Sequence, residues 1–264
     1  NNFNYYKMRK IYLSLFYLLF FVDVLAGQRL NFNASWLLKV GDQNGAENIN
    51  FDDTSWQKAT LPYAFNGKEA FALPISQHSD TIMWYRKHFT IGKDMNAKHV
   101  FIEFEGARQA ADVYLNGYHV GLNENGVTAF GFNLTPYIKW NGDNVISVRV
   151  DNSWHYHEQA TKTGFEWNDK NFNANYGGLS KNVWLHITGN VYQTLPLYDN
   201  LRTTGTYIYA NNFSIEEHKA TINVESEVKN DSNIKQNIGL EVEIIDLDGK
   251  TIAKFKGRKI EVPA

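Results

Sequence analysis

Cysteine is absent from this chain of 264 residues. Its absence excludes a disulfide framework, a thiolate metal site and a cysteine nucleophile. A surplus of positive charge is also missing, because 26 lysines and arginines stand against 28 aspartates and glutamates. We therefore expect no nucleic-acid partner, since nucleic-acid recognition depends on clustered lysine and arginine.

Helical periodicity is lacking as well. Beyond residue 26, no window longer than ten residues repeats its apolar positions every 3.6 residues. Short aromatic or β-branched runs bounded by glycine, asparagine and aspartate dominate instead, which is the pattern of β-strands. These runs cover residues 83–91, 100–105, 111–115, 118–122, 128–134, 145–150 and 183–188.

Asparagine is abundant, with 30 residues, and five of them precede glycine. Asn-Gly accepts the positive φ angles that tight hairpin turns require. Asn116-Gly117 lies between two predicted strands, so we expect a two-residue hairpin there. The sequence thus predicts an all-β chain.

The first 26 residues have the pattern of a targeting segment. A basic start at Met8-Arg9-Lys10 is followed by the apolar run 11–22 and by small residues that end at Ala26. This order is typical of a secretory signal peptide, and the apolar run is too short for an ordinary transmembrane span. We expect cleavage near Ala26, a secreted or periplasmic protein, and no membrane partner.

A domain boundary is expected between residues 190 and 197, a stretch that contains Pro196. Beyond it, alternating apolar and polar residues predict about four strands. An immunoglobulin-like sandwich has about seven strands. The sequence therefore predicts a truncated immunoglobulin-like domain at residues 197–264.

The strand pattern stops between Asn152 and Lys181, in a loop rich in Trp, His, Asn and Phe. Structureless loops of this length are usually functional or disordered. The aromatic content argues against disorder. This loop is therefore the best candidate for a binding site.

A series of short blocks follows in order along the chain: Phe51-Asp52-Asp53-Thr54-Ser55-Trp56, Leu61-Pro62, Trp84-Tyr85-Arg86-Lys87, Phe104-Glu105-Gly106, Tyr114-Leu115-Asn116-Gly117, Phe132-Asn133-Leu134-Thr135, Val148-Arg149-Val150-Asp151-Asn152, Tyr176-Gly177-Gly178-Leu179 and Val183-Trp184-Leu185. Together they resemble the N-terminal domain of glycoside hydrolase family 2, which contains β-galactosidases, β-glucuronidases and β-mannosidases. The likeness covers about residues 34–190. Residues 197–264 resemble the start of the family's immunoglobulin-like second domain.

The resemblance implies three parts: upstream residues and a signal peptide at 1–26, a jelly-roll β-sandwich of the sugar-binding type at 27–190, and a partial immunoglobulin-like sandwich at 197–264. In this family the two catalytic carboxylates of the retaining mechanism lie on a (β/α)8 barrel, which this sequence does not contain. Its one Asn-Glu dipeptide, Asn123-Glu124, lies beside a hairpin. We therefore assign no catalytic residue, no metal and no cofactor.

The function implied is that of a non-catalytic N-terminal fragment of an exported β-glycosidase, most readily a β-galactosidase. Its partners would be a β-linked glycoside and the barrel of the same protein. Two alternatives are open. One is a stand-alone carbohydrate-binding module, and the other is a structural scaffold that never contacts sugar.

In the family, the segment after the Arg-Val-Asp-Asn strand projects toward the mouth of the barrel. The resemblance therefore places the substrate near the long loop. The expected binding residues are carboxylates, amides and one tryptophan: Asp151, Asn152, Glu166, Trp167, Asn168, Asp169, Asn173 and Asn175. The alternative, that they only fix the loop and the domain interface, is open.

Two positions depart from the family pattern. Tyr63-Ala64-Phe65 stands where relatives often carry His-Asp-Trp or Ser-Asn-Trp, so that sugar contact is lost unless Asn66 replaces it. Lys181 stands where an arginine is usual, which changes the hydrogen-bonding geometry.

Three other clusters contain residue types that could take part in catalysis or metal binding. Glu103 and Glu105 are two residues apart and therefore lie on one strand face. We interpret them as part of a solvated face rather than as a catalytic carboxylate pair. His155 and His157, with Glu158, have the spacing of metal ligands but no recognisable support. The contiguous His78-Ser79-Asp80 reads as a loop, because triads are assembled in space.

Overall fold

The computed structural model describes residues 27–67, 80–92, 98–164, 176–196 and 201–264. Within these ranges the only helical segment is one 3-10 turn at Thr135–Tyr137, and no helix is long and apolar enough to cross a membrane. The strands are β1 (Gln28–Asn31), β2 (Trp36–Val40), β3 (Gln57–Ala59), β4 (Ile82–Thr90), β5 (His99–Phe104), β6 (Ala110–Leu115), β7 (Tyr118–Asn123), β8 (Phe130–Asn133), β9 (Asp143–Asp151), β10 (Val183–Thr188), β11 (Val191–Gln193), β12 (Thr206–Ser214), β13 (Lys219–Ser226), β14 (Val228–Asn230), β15 (Gln236–Ile238), β16 (Glu241–Ile245), β17 (Thr251–Lys256) and β18 (Ile260–Val262).

Two antiparallel sheets form a sandwich. The larger sheet has the strand order β3-β2-β4-β9-β6-β7, and the smaller has the order β1-β10-β5-β8. Their inner faces share one hydrophobic core, to which both sheets contribute buried side chains. The predicted all-β sandwich is confirmed.

The core follows the period of two along the central strands. Ile146, Val148 and Val150 of β9 are buried against Ile102 and Phe104 of β5. The alternation predicted for residues 145–150 therefore separates an inner apolar face from an outer face. Burying such side chains contributes roughly 1.5–3 kcal/mol each, so this alternation stabilises the packing of the two sheets.

The outer face of β4 carries a buried ion pair. The Nε of Arg86 donates to Oδ2 of Asp53 at 2.7 Å, and the Arg86 side chain is fully buried. Trp84 and Trp56 form a second small cluster around it with Ala46. The 42–56 segment thus packs as a layer outside the larger sheet.

The hairpin at Asn116-Gly117 is confirmed, with positive φ angles of 55° and 89° at the two turn residues. The Asn116 side chain explains why asparagine occupies this position. Its Nδ2 donates to Oδ1 of Asn144 at 2.9 Å, and its Oδ1 accepts from the backbone N of Val145 at 2.9 Å. The turn is therefore joined to the start of β9.

The C-terminal region departs from the sequence prediction. In place of about four strands, residues 201–264 contain seven, β12 to β18. Three of them, β14, β15 and β18, have only three residues each, too few to show an alternation. The seven strands form two-stranded sheets: β12 pairs with β13, β15 with β18, β16 with β17, and β14 with β11. Large apolar side chains such as Ile208 and Phe213 are exposed. The limits of the two domains, 27–190 and 197–264, stay a prediction.

Candidate functional site

Four chain segments meet at one end of the sandwich: residues 61–67, 105–109, 151–156 and 176–179. We call this the loop end. The backbone N of Arg108 donates to the carbonyl of Gly178 at 3.0 Å, and the backbone N of Gly178 donates to the carbonyl of Arg108 at 2.8 Å. The backbone N of Tyr63 donates to the carbonyl of Leu179 at 2.9 Å. These bonds join segments that are far apart in sequence.

Asp151 ends β9 at the loop end, paired with Ile82 of β4 on one side and Ala110 of β6 on the other. Its Oδ1 accepts from the backbone N and the Oγ of Ser153, at 3.0 and 2.7 Å. Its Oδ2 accepts from Nη1 of Arg149 at 3.3 Å. These three bonds fix the orientation of the carboxylate, and Asp151 is 9% exposed.

Asn152 is nearly buried, with 1% of its surface exposed. Its backbone N donates to the carbonyl of Thr81 at 3.0 Å. A Cβ added at Gly177 would lie 2.9 Å from its Nδ2 and would overlap the ring of Phe65. This packing favours the alternative that Asn152 fixes the loop rather than contacting a sugar.

Asn66 and Gln109 are the other buried amides of the loop end. The Oδ1 of Asn66 accepts from the backbone N of Gly177 at 3.1 Å, so Asn66 holds the 176–179 segment. Gln109 is fully buried, and its Nε2 lies 3.5 Å from the carbonyl of Ser153. Sequence reasoning missed Gln109, because a single amide between alanine and arginine carries no recognisable pattern.

The first part of the long loop is anchored to the end of β7 by Glu124. Its Oε1 accepts from the hydroxyl of Tyr156 and from the backbone N of Gln159, both at 2.6 Å. Burial, and then the bond to Glu124, raise the pKa of Tyr156. At the loop's start, the backbone N of Trp154 donates to Oδ1 of Asp80 at 2.9 Å. Glu124 belongs to the one Asn-Glu dipeptide of the sequence, and in the structure its side chain holds the first part of the long loop.

The remaining candidates of the long loop lie outside the described residues: Glu166, Trp167, Asn168, Asp169, Asn173 and Asn175. His155 and His157 are exposed, and Nδ1 of His157 contacts the carbonyl of His155 at 2.8 Å. In the described ranges, no group of three or more histidine, aspartate or glutamate side chains is placed to hold a metal ion.

Glu103 and Glu105 share a strand face as predicted, but the interpretation of that face as solvated is wrong. Glu103 is 8% exposed. It accepts from Nη2 of Arg29 at 3.4 Å and lies 2.7 Å from Nε2 of His186. Glu105 accepts from Nε1 of Trp184 at 2.8 Å. Both carboxylates join strands of the smaller sheet, a role that depends on partners about 80 residues away.

Residues 57–184 match the family described as the glycosyl hydrolase 2 galactose-binding domain-like domain. The chain belongs to glycoside hydrolase family 2. This confirms the resemblance carried by the sequence blocks.

Lys181 stands where an arginine is usual in the family. Its Nζ donates a hydrogen bond to the carbonyl of Val127 at 3.1 Å.

Similar proteins extend the match beyond this domain. A β-glucuronidase of Formosa agariphila is 40% identical over 243 residues, which cover 89% of the chain and 24% of that protein. A β-galactosidase of Bacteroides ovatus is 29% identical, over 87% of the chain and 25% of that protein. The chain spans about a quarter of the length of these relatives.

Solved structures agree with the fold. A family 2 β-glucuronidase is 37% identical, with a TM-score of 0.73, over 90% of the chain and 26% of that structure. A β-glucuronidase of Bacteroides uniformis is 28% identical, with a TM-score of 0.72 and the same two shares. The names of these relatives do not single out β-galactosidase.

Proposed function

We propose that this chain is the non-catalytic N-terminal part of an exported family 2 β-glycosidase, and that its loop end lies beside the substrate of the complete protein. The observation that carries the proposal is the oriented carboxylate of Asp151, held at the end of β9 by Ser153 and Arg149. A carboxylate fixed in this way is suited to accept a hydrogen bond from a sugar hydroxyl.

For the complete protein we propose a β-glucuronide substrate. The support is the 40% identity to a β-glucuronidase over 89% of the chain. The β-galactosidase specificity favoured by the sequence blocks is the second candidate, supported by β-galactosidases that are 29% identical over 87% of the chain and 36% identical over 62% of it. Parallel assays with 4-nitrophenyl β-D-glucuronide and 4-nitrophenyl β-D-galactoside separate the two.

In the complete protein, Asp151→Ala is expected to lower kcat/KM for the preferred substrate about 10- to 100-fold, the effect of losing one hydrogen bond to a charged group. The matched control is Asp143→Ala, which removes an exposed carboxylate at the opposite end of β9 and should leave kcat/KM unchanged. A thermal melt of both variants separates unfolding from loss of contact. Equal kcat/KM for Asp151→Ala and the parent would contradict the proposed position, and no hydrolysis of either glycoside by the parent would contradict the glycosidase.

Export is the second part of the proposal, and it is supported by the basic start, the apolar run and Ala26. Expression in a bacterial host should yield an exported protein whose first residue is Gly27, as read by N-terminal sequencing. Ala26→Arg should block cleavage and retain the precursor, because the cut requires a small residue. An unprocessed chain found only in the cytoplasm would count against export.

A further inference from the structure

A recess of about 540 Å3 lies on the outer face of the larger sheet, apart from the loop end. The turn that contains Asp42 and Glu47 forms its wall, and Trp84, Tyr114 and Arg149 form its floor. Sites for small molecules typically measure about 300–1,000 Å3 and combine aromatic rings with a few oriented polar groups. The recess has both features.

The floor of the recess is aromatic and rigid. The ring of Tyr114 stacks on that of Trp84, with centroids 6.0 Å apart and planes inclined by 27°. Trp84 is only 3% exposed, and its Nε1 donates to Oδ1 of Asp42 at 2.8 Å. Tyr114 is half-buried between Trp84 and His119, whose ring centroid lies 5.1 Å from its own, and it lines the recess. The exposed part of such a ring can contact the apolar C–H groups of a pyranose.

The rim of the recess is polar and oriented. Two nitrogens of Arg149 donate to the two oxygens of Asp42, Nε at 3.2 Å and Nη2 at 3.1 Å. The hydrogen bond from Arg149 outweighs the effect of burial and holds the pKa of Asp42 below its ordinary value. Asp42 therefore presents a fixed carboxylate, and Glu47 adds a second acidic side chain.

The charges of the recess decide which ligands it can take. Asp42 and Glu47 are negative, and Arg149, the single cation of the lining, is already engaged by Asp42 and by Asp151. An anionic sugar would meet this excess of negative charge without a cation to pair with. Oδ1 of Asp42 already accepts from Trp84, from Arg149 and from the backbone N of Gln43 at 3.1 Å. Uncharged hydroxyls, by contrast, can donate to Glu47 and to Oδ2 of Asp42, which among the described residues accepts only from Nη2 of Arg149.

We propose that this recess is a second carbohydrate site, which takes an uncharged pyranose unit with Tyr114 under its apolar face and Asp42 and Glu47 on its hydroxyls. The site is distinct from the loop end but adjoins it. Arg149 and Asp151 are two residues apart on β9, a distance of about 7 Å along the strand. The proposal does not depend on which glycoside the complete protein cleaves.

The test uses the chain itself and a matched pair of probes, cellobiose and cellobiouronic acid, which differ by one carboxylate. Isothermal titration calorimetry should detect binding of cellobiose, and the dissociation constant of cellobiouronic acid should be at least about ten-fold higher. Tyr114→Ala should weaken cellobiose binding about ten-fold. The control is Tyr118→Ala. Tyr118 lies on the same hairpin as Tyr114, is 61% exposed and stacks on Tyr137 outside the recess, so this variant should bind cellobiose as tightly as the parent does.

A second variant keeps the test decisive if Tyr114→Ala loses structure. Glu47→Gln preserves the shape of the wall and removes one negative charge, so the preference for cellobiose over the acid should narrow. No binding of cellobiose by the parent would overturn the proposal. So would undiminished cellobiose binding by a folded Tyr114→Ala variant, because the sugar would then occupy another surface such as the loop end.

Discussion

Replacing Asp53 with alanine is expected to lower the free energy of unfolding by about 3–5 kcal/mol, the usual cost of removing one partner from a buried ion pair. The guanidinium of Arg86 is fully buried and reaches Asp53 at 2.7 Å. Its Nη1 also donates to Oγ of Ser147 at 3.0 Å and to the carbonyls of Asn48 and Ala46. These neutral partners cannot compensate the charge once the carboxylate is gone.

The neighbouring residue provides the matched control. Asp52 is exposed and only caps a turn, where its Oδ1 accepts from the backbone N and Oγ1 of Thr54 at 3.1 and 2.6 Å. Asp52→Ala should therefore destabilise far less. Urea unfolding followed by tryptophan fluorescence suits this comparison, because all seven tryptophans lie within residues 36–184. Similar losses for the two variants would contradict the assignment of the ion pair.

The cost of Asp53→Ala should also depend on pH. Burial raises the pKa of Asp53, but hydrogen bonds from Arg86 and His88 outweigh it and hold that pKa below its ordinary value. A carboxyl with a lowered pKa stabilises the fold above the ordinary value of about 3.9, and this stabilisation is lost as the pH falls through the folded-state pKa. The difference between the parent and Asp53→Ala should therefore shrink below about pH 4.

Gly178→Ala is expected to lower the free energy of unfolding by about 2–5 kcal/mol, from two causes that add. The residue has a φ of +93°, which is unfavourable for any residue with a Cβ. The new Cβ would also overlap the hydroxyl of Tyr85 and lie 3.1 Å from Sδ of Met83, both fully buried. The measurement is again urea unfolding followed by fluorescence.

Two variants separate the causes. Gly41 has the same φ of +93°, and a Cβ there would only touch Nε2 of Gln43 at 3.7 Å, so Gly41→Ala should cost only about 1–2 kcal/mol. Tyr85→Phe removes the overlapped hydroxyl, at the cost of its bonds to Tyr63 and Leu179. In that background Gly178→Ala should cost less than in the parent but more than Gly41→Ala, because Sδ of Met83 and Cζ of residue 85 still lie 3.1 Å from the new Cβ. An unchanged cost would rule out the steric cause.

Local signals in the sequence were sufficient for the central strands. The alternation of β9 and the Asn116-Gly117 turn depend on residues close together in the chain, and both appear where predicted. Strands with apolar residues on both faces, such as β12 with Tyr207 and Ile208, gave no such alternation and were missed. Their pairing is decided by neighbours in space.

The candidate site shows the same division. The resemblance placed Asp151 at the end of its strand, which the structure matches. Asn152 is buried beside Gly177, which belongs to a distant segment of the chain. The ion pair of Arg86 likewise depends on Asp53, which lies 33 residues away in the chain. Long-range partners of this kind cannot be read from one sequence.

The bonds from Arg86 to the carbonyls of Ala46 and Asn48 have a consequence for the recess on the outer face. They tie the turn that walls the recess to a buried side chain of β4, so this turn opens only when the larger sheet itself opens. In the language of hydrogen exchange, the wall and the core belong to one cooperative unit. A ligand entering such a recess meets a surface that is already ordered and loses little affinity to conformational entropy.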